Sequence, residues 1–314
     1  MRAAIALGER GRGRTAPNPN VGCVIVRDGR VLGRGWTQPG GRPHAEAMAL
    51  DAAGEDARGA TLYVTLEPCA HDSARGPACA DLVAAAGVAR VVCALGDPDP
   101  RTNGRGFERL RAAGTAVETG VEAEEAERTL AGFLSRIRRS RPFVTLKLAM
   151  SLDGMIALAS GESRWITGEE ARAHAHVERA RADMILVGRG TLDADSPRLD
   201  VRLEGMEDRS PARAVLTRGP APDGWTRLAA PGDVGLLGVN DLLVEGGAET
   251  GASFLRADLV DRLLLYRAPI LIGAGKPALG DLGLASLAAA HGRWRLTDRR
   301  ALGIDLLEVY ERSR

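Results

Sequence analysis

Apolar residues along this chain fall into short blocks and alternations that suit strands, separated by stretches with the three-to-four spacing of helices. VGCVIV (21–26) and RVLGRGW (30–36) read as two strands joined at Asp28-Gly29, a strong signal for a tight hairpin turn. Residues 1–11 fit a short helix, and HAEAMALDAAG fits another from about Pro43 to Ala53. TLYVTL (61–66) reads as a strand, a helix follows near Ala80–Ala86, closed by Gly87, and RVVCALG (90–96) is a strand again. GFERLRAAG (106–114) reads as a helix, TAVETG (115–120) as a strand, and the acidic run after it as a further helix. Strands that alternate with helices indicate an α/β layer fold.

The pattern restarts near Ser140-Arg141-Pro142. SRIRRSRP is basic, ends in proline and shows no apolar periodicity, so it reads as a linker. Beyond it FVTLKLAM (143–150) is a strongly apolar strand, and Thr167 with Glu170 forms a T-x-x-E capping box opening a helix to about Arg181. MILVG (184–188), RAVLT (213–217), DLLVEG (241–246) and RLLLYRAPILIG (262–273) read as strands. Two α/β domains are therefore expected, 1–140 and 143–314.

Composition narrows the function. Of 314 residues, 45% are hydrophobic and 26% charged, enough to bury two cores. A net charge of +1 and an aromatic content of 4% argue against a nucleic-acid-binding surface. The start, MRAAIALGERGRGR, is broken by charge and glycine before a secretory apolar core can form. No apolar run nears the ~18 residues of a membrane span. A cytoplasmic, reducing compartment is expected, in which the four cysteines are thiols that are buried or bound to metal.

Two stretches carry chemistry. PHAEAMAL holds His44 and Glu46; EPCAHDSARGPAC holds Cys69 and Cys79. Hydrolytic deamination of an aminopyrimidine needs a strong nucleophile at neutral pH, which zinc provides by lowering the pKa of bound water to ~7. A catalytic zinc takes three protein ligands, and His44, Cys69 and Cys79 offer N, S and S. Glu46 is then free to move protons. The zinc-deaminase signature joins H-x-E to P-C-x-x-C; here His44-Ala45-Glu46 and Pro68-Cys69 match, whereas Cys79 lies ten positions beyond Cys69. A long ligand loop adds little closure entropy, and both ligand pieces fall at helix starts, where N–H groups favour thiolate. A lone cysteine is more often a small buried hydrophobe, and Cys23 and Cys93, inside apolar strands, read as core. His174 and His176, two apart on one helix, point apart and read as surface or packing residues.

PNPNVGCVIV, HAEAMAL, TLYVTLEPCAH and LGDPDP together resemble the N-terminal half of the bifunctional riboflavin-biosynthesis deaminase/reductase family. KLAMSLDGMIA, GESRWIT, GRGTLDADSPRLDVR and LLVEGGAETGASFL resemble its C-terminal half. The resemblance runs in order over nearly the whole chain. It implies a cytidine-deaminase-like α/β/α layer domain followed by a dihydrofolate-reductase-like α/β domain, with one zinc ion per chain and NADPH as cofactors. The implied substrate is 2,5-diamino-6-ribosylamino-4(3H)-pyrimidinone 5′-phosphate, which loses its 2-amino group, with Glu46 as proton carrier, before the ribosyl group is reduced to ribityl. By the same resemblance Asn18, His71 and Arg75 face the pyrimidine nucleotide, and the family assembles as a homo-oligomer through its reductase half. The cysteine loop is one residue longer than the family's PCSHxGRTPPC, and Thr37 stands where the family has His.

The second half lacks a G-x-G-x-x-G fingerprint; its best local signal is VEGGAETGAS (244–253), a strand ending in two glycines before a helix. The resemblance implies NADPH contacts at Ala149, Trp165, Thr191, Asp195, Thr217 and the loop Gly247, Ala248, Glu249, Thr250, Gly251, Ala252 and Ser253. It implies substrate contacts at Ser163, Arg179, Leu199, Arg202 and Glu245, with the two arginines suited to a phosphate. Ser196 replaces a family Asp, and the Thr217–Leu242 stretch is short. Three rival readings stay open: a nucleic-acid base deaminase, a binding protein with a degenerate site, and a deaminase whose reductase half is inactive.

Overall fold

The computed structural model describes residues 1–71 and 75–314 and divides the chain into two compact units, Met1–Arg141 and Pro142–Arg314. The first unit runs α1 (Arg2–Gly8), β1 (Gly22–Arg27), β2 (Arg30–Trp36), α2 (Ala45–Ala53), β3 (Thr61–Leu66), α3 (Cys79–Ala85), β4 (Arg90–Leu95), α4 (Arg105–Ala112), β5 (Ala116–Thr119), α5 (Ala123–Thr129) and α6 (Ala131–Arg139). Its sheet has the order β2-β1-β3-β4-β5, with β1 antiparallel to both neighbours and β3, β4 and β5 parallel. Asp28 and Gly29 take φ of 50° and 74°, the left-handed pair that closes the hairpin between β1 and β2.

Strand alternation sorts the core into two faces. Cys23 and Ile25 of β1, with Val91 and Cys93 of β4, pack against α2, α3 and α4. Val24 packs against Ala4 and Leu7 of α1, and Ala94 against Ile5 of α1 and Ala126 of α5. The result is an α/β/α sandwich. Helix α2 lies directly on β2, where a Cβ at Gly33 would sit 2.0 Å from the Ala49 carbonyl and one at Gly35 2.1 Å from that of Ala45. Only glycine allows this approach, and it fixes the helix that follows His44.

The second unit runs β6 (Phe143–Met150), β7 (Met155–Ala157), α7 (Glu169–Ala180), β8 (Met184–Gly188), α8 (Arg189–Asp195), β9 (Ala212–Leu216), β10 (Thr226–Leu228), β11 (Asp241–Val244), α9 (Ala248–Arg256), β12 (Arg262–Arg267), β13 (Lys276–Pro277), β14 (Trp294–Leu302) and β15 (Asp305–Arg312). Its main sheet has the order β10-β9-β8-β11-β6-β12-β15-β14, parallel from β10 to β12 and antiparallel thereafter. Val144, Leu146 and Leu148 of β6 pack with Phe254 of α9 on one face. Leu264 and Tyr266 of β12 pack with Ala171 and Ala175 of α7 on the other.

Three local expectations are corrected, and one hairpin is additional. SRIRRSRP is not a linker along its length: residues up to Arg139 belong to α6, whose apolar side is supplied by the preceding Phe133 and Leu134, and the helix stops at Ser140, with φ of 54°. Thr167 does not cap α7; Gly168 occupies that position, and its N–H donates to Asp305 Oδ2 at 2.6 Å, so the residue that opens the helix is held by a distant strand. RLLLYRAPILIG leaves the sheet after Arg267, where Pro269 cannot donate to a ladder. The β14–β15 hairpin, with eight residues paired between Trp294 and Leu302, was not expected.

Candidate functional site

In the first unit the elements bring His44, Cys69 and Cys79 together. His44 is the residue before α2, Cys69 follows β3 by three positions, and Cys79 opens α3. His44 Nδ1 lies 3.3 Å from Cys79 Sγ and 3.6 Å from Cys69 Sγ. A tetrahedral zinc with bonds of about 2.0–2.3 Å demands nitrogen–sulfur edges of roughly 3.5 Å, so the three donors fit the ion. The Cys79 N–H donates to Cys69 Sγ at 3.3 Å, which ties the two ends of the long cysteine loop to each other. A hydrogen bond with the Cys79 thiol pulls Cys69 down to about 4, while the same bond and burial push Cys79 up. The hydrogen bond between the two thiols favours the thiolate at Cys69, and a bound cation would favour it at both.

Glu46, the second residue of α2, is 3% exposed. Burial raises its carboxyl to about 7, against the opposing pull of His44. Asn18 sits against Gly41, whose φ of 85° and lack of a Cβ leave room for the asparagine amide; a Cβ there would lie 1.8 Å from Asn18 Nδ2. Arg75 Nη1 donates to the Gly40 carbonyl at 2.9 Å, so Asn18 and Arg75 meet the same turn. His71 Nδ1 lies 3.4 Å from Thr102 Oγ1. Thr37 is buried, and its Oγ1 accepts the Val21 N–H at 3.0 Å; at this position the side chain braces the hairpin.

In the second unit the parallel strands carry Ala149, Thr191, Thr217 and Glu245 to their carboxyl ends, the edge where open α/β sheets bind ligands. Ala149 lies near the end of β6 and Thr217 just beyond β9. Thr191 follows β8, and its Oγ1 accepts the Gly247 N–H at 3.2 Å. The Thr250 side chain fills the space where Gly188 and Gly246 lack a Cβ, locking the start of α9 onto the end of β8. The stretch Gly247–Ser253, expected as a loop, is helix from Ala248: Thr250, Gly251 and Ala252 are buried, whereas Glu249 is exposed and Ser253 half-buried. Trp165 is 66% exposed with the Arg172 guanidinium 4.7 Å over its ring. The Asp195 carbonyl accepts from Arg164 Nη2 at 3.3 Å, and Ser163 is half-buried beside Arg164 in sequence. Arg179 and Glu245 form a two-point ion pair. Leu199 is buried, and Arg202 Nη1 pairs with Asp200 Oδ1 at 2.6 Å.

Lys147 escaped the sequence reading. Its Nζ lies 3.9 Å from Glu245 Oε2 and 5.8 Å from the Tyr266 ring centroid. The available signal was a lone lysine within the apolar strand FVTLKLAM. No helix among the described residues is long and apolar enough to cross a membrane.

Comparison with known proteins follows the same division. Residues 1–95 match the family described as the cytidine and deoxycytidylate deaminase zinc-binding region, and residues 142–228 with 235–307 match the RibD C-terminal domain. The riboflavin biosynthesis protein RibD of Escherichia coli is 40% identical, over 98% of this chain and 96% of its own length. That of Aquifex aeolicus is 38% identical, over 99% and 97%. Among solved structures, Acinetobacter baumannii RibD superposes with a TM-score of 0.91 at 36% identity, covering 100% of this chain and 98% of its own. The Thermotoga maritima diaminohydroxyphosphoribosylaminopyrimidine deaminase/5-amino-6-(5-phosphoribosylamino)uracil reductase gives 0.91 at 32% identity, covering 100% and 97%.

Proposed function

The chain belongs to the RibD family of riboflavin-biosynthesis proteins, and from that premise we propose how its own residues divide two reactions. It is a bifunctional enzyme, a zinc-dependent deaminase followed by an NADPH-dependent reductase. The observation that carries the residue assignment is the convergence of His44, Cys69 and Cys79 beside a buried Glu46.

In the first unit His44, Cys69 and Cys79 would hold zinc, which when bound would supply an activated water by lowering its pKa to about 7. Glu46 would take a proton from the attacking water and pass it to a pyrimidine ring nitrogen, then take the proton of the hydroxyl so added to the ring carbon and pass it to the amino group, which leaves as ammonia. A carboxyl raised to about 7 by burial suits a group that must both accept and return a proton, and a cation in the cage tempers that rise. Asn18, His71 and Arg75 bind the pyrimidine ribotide.

In the second unit the chain would hold NADPH, which when bound would supply the hydride for reduction of the sugar. The start of α9 at Gly247 and Ala248, braced by Thr191, suits a cofactor phosphate. Ala149, Trp165, Asp195, Thr217 and the exposed side of Glu249–Ser253 complete the NADPH site. Ser163, Arg179, Leu199, Arg202 and Glu245 form the ribotide site. The reading extends to a cytoplasmic homo-oligomer assembled through the second unit, which sedimentation of the purified chain tests.

The deciding experiment gives the purified zinc-loaded chain the diaminopyrimidine ribotide. Ammonia release without NADPH, then NADPH consumption on its addition, is the expected result. Glu46→Gln should keep zinc, release ammonia at least about a hundredfold more slowly, and still reduce the deaminated ribotide when supplied with it. Unchanged ammonia release in that variant would defeat the role of Glu46; ammonia with no NADPH consumption would mean an inactive second unit.

A further inference from the structure

Glu67 precedes the Pro68-Cys69 turn, is 3% exposed, and has no part in the zinc cage. Its carboxylate accepts four backbone N–H bonds from the segment after β4. Oε2 takes those of Asp97 at 3.2 Å and Gly104 at 3.0 Å; Oε1 takes those of Gly106 at 2.9 Å and Phe107 at 3.3 Å. Three of these donors lie at the start of α4, whose own preceding residue, Gly104, offers no side chain to cap it. A carboxylate suits that end of a helix by charge, and it is the side chain with enough lone pairs for four donors. The contact is close: a Cβ at Gly106 would lie 2.1 Å from the Pro68 carbonyl.

The anchored segment reaches back to the site through one residue. Thr102 is fully buried, and its Oγ1 lies 3.5 Å from the Ala70 N–H donor and 3.4 Å from His71 Nδ1. Ala70 and His71 are the two residues after the ligand Cys69. We propose that Glu67 is a positioning residue for the deaminase substrate: it pins the 97–107 segment so that Thr102 sets the His71 ring beside the metal cage. The proposal rests on the reading of His71 as a substrate contact.

Glutamine at position 67 would turn an NH2 group toward two N–H donors that need an acceptor. The segment would shift, and with it Thr102 and His71, without loss of a ligand. In the full zinc-loaded chain, Glu67→Gln should raise the KM for the diaminopyrimidine ribotide about tenfold, with kcat within about threefold, zinc content unchanged and NADPH-dependent reduction intact. Thr102→Val should reproduce the KM rise with the Glu67 anchor left in place. A double-mutant cycle supplies a readout that simple loosening would not move: adding Thr102→Val to His71→Asn should raise KM no further. If His71→Asn alone leaves KM unchanged, the reading of His71 fails first, and this proposal with it. If His71→Asn raises KM but Glu67→Gln and Thr102→Val do not, the proposal alone is overturned. Loss of zinc from Glu67→Gln together with a normal KM in Thr102→Val also overturns it, because Glu67 would then merely support the cage.

Discussion

Arg179 grips Glu245 at two points, with Nε 2.7 Å from Oε1 and Nη2 2.9 Å from Oε2. Burial would raise the Glu245 carboxyl, but Lys147 and Arg179 outweigh it and hold it down at about 2. Glu245 is therefore an anion at any working pH, able to accept hydrogen bonds and unable to donate a proton. Arg179 Nη1 also donates to the Asp200 carbonyl at 3.1 Å, which links the pair to the segment that carries Arg202.

The fork matters as well as the charge. Arg179→Lys keeps a cation but cannot make two parallel bonds and a third to Asp200. The side chains are 14% and 10% exposed, so the loss falls in a largely dry setting. Reductase kcat/KM should drop at least about tenfold and stability by about 1–2 kcal/mol, while ammonia release stays normal. Equal losses in both activities would mean a general folding defect.

Leu199 stores backbone strain next to the same site. Its φ is 55°, a left-handed value unfavourable for leucine, and its side chain is held in a cluster with Ala182, Ile185, Val187 and Leu243. Leu199→Ala removes that packing and keeps the strain, and should cost about 2–4 kcal/mol. Leu199→Gly removes the same packing but relieves about 1–2 kcal/mol of strain, against roughly 0.5–1 kcal/mol of added chain entropy. The glycine variant should therefore be at least as stable as the alanine variant in urea unfolding. An alanine variant clearly more stable than glycine would show that Leu199 does not hold this conformation in solution.

The cluster of His44, Cys69 and Cys79 was legible because each piece carries its own local signal: His44 before a helix, Cys69 after a strand, Cys79 at a helix start. Spacing alone could not say that residues 44, 69 and 79 meet; the sheet order that places β1 between β2 and β3 does that. What stayed hidden depends on distant partners. Gly168, the residue that opens α7, is held through its N–H by Asp305, and no window around Thr167 contains that partner. The basic end of α6 was separated from Phe133 and Leu134, which make it amphipathic. β14 is an edge strand whose residues are mostly exposed, so WRLTDRRAL shows no apolar alternation. Lys147 read as one polar interruption of a strand, because only the fold brings Glu245 within reach of it.

His174 has a defined protonation state, and that makes stability depend on pH. Arg300 Nη2 lies 3.0 Å from His174 Nε2, and a guanidinium only donates, so Nε2 must present its lone pair. The ring proton then sits on Nδ1, 2.7 Å from the Tyr266 hydroxyl. Burial lowers the His174 pKa from its ordinary 6.5; Glu178 opposes this, while Arg300, Arg181 and Arg262 add to it. The unfolded chain thus binds this proton more readily than the folded one. The contribution of neutral His174 is complete above the unfolded value and is lost as the pH falls through 6.5 toward the folded value. His174→Gln offers an amide oxygen to Arg300 and an N–H to Tyr266 without titrating. Urea unfolding in a Trp36→Phe background, where Trp165, Trp225 and Trp294 all report the second unit, reads the comparison. Between pH 7 and pH 5 the native side chain should lose stability relative to His174→Gln; parallel pH curves would mean that His174 binds its proton equally well folded and unfolded.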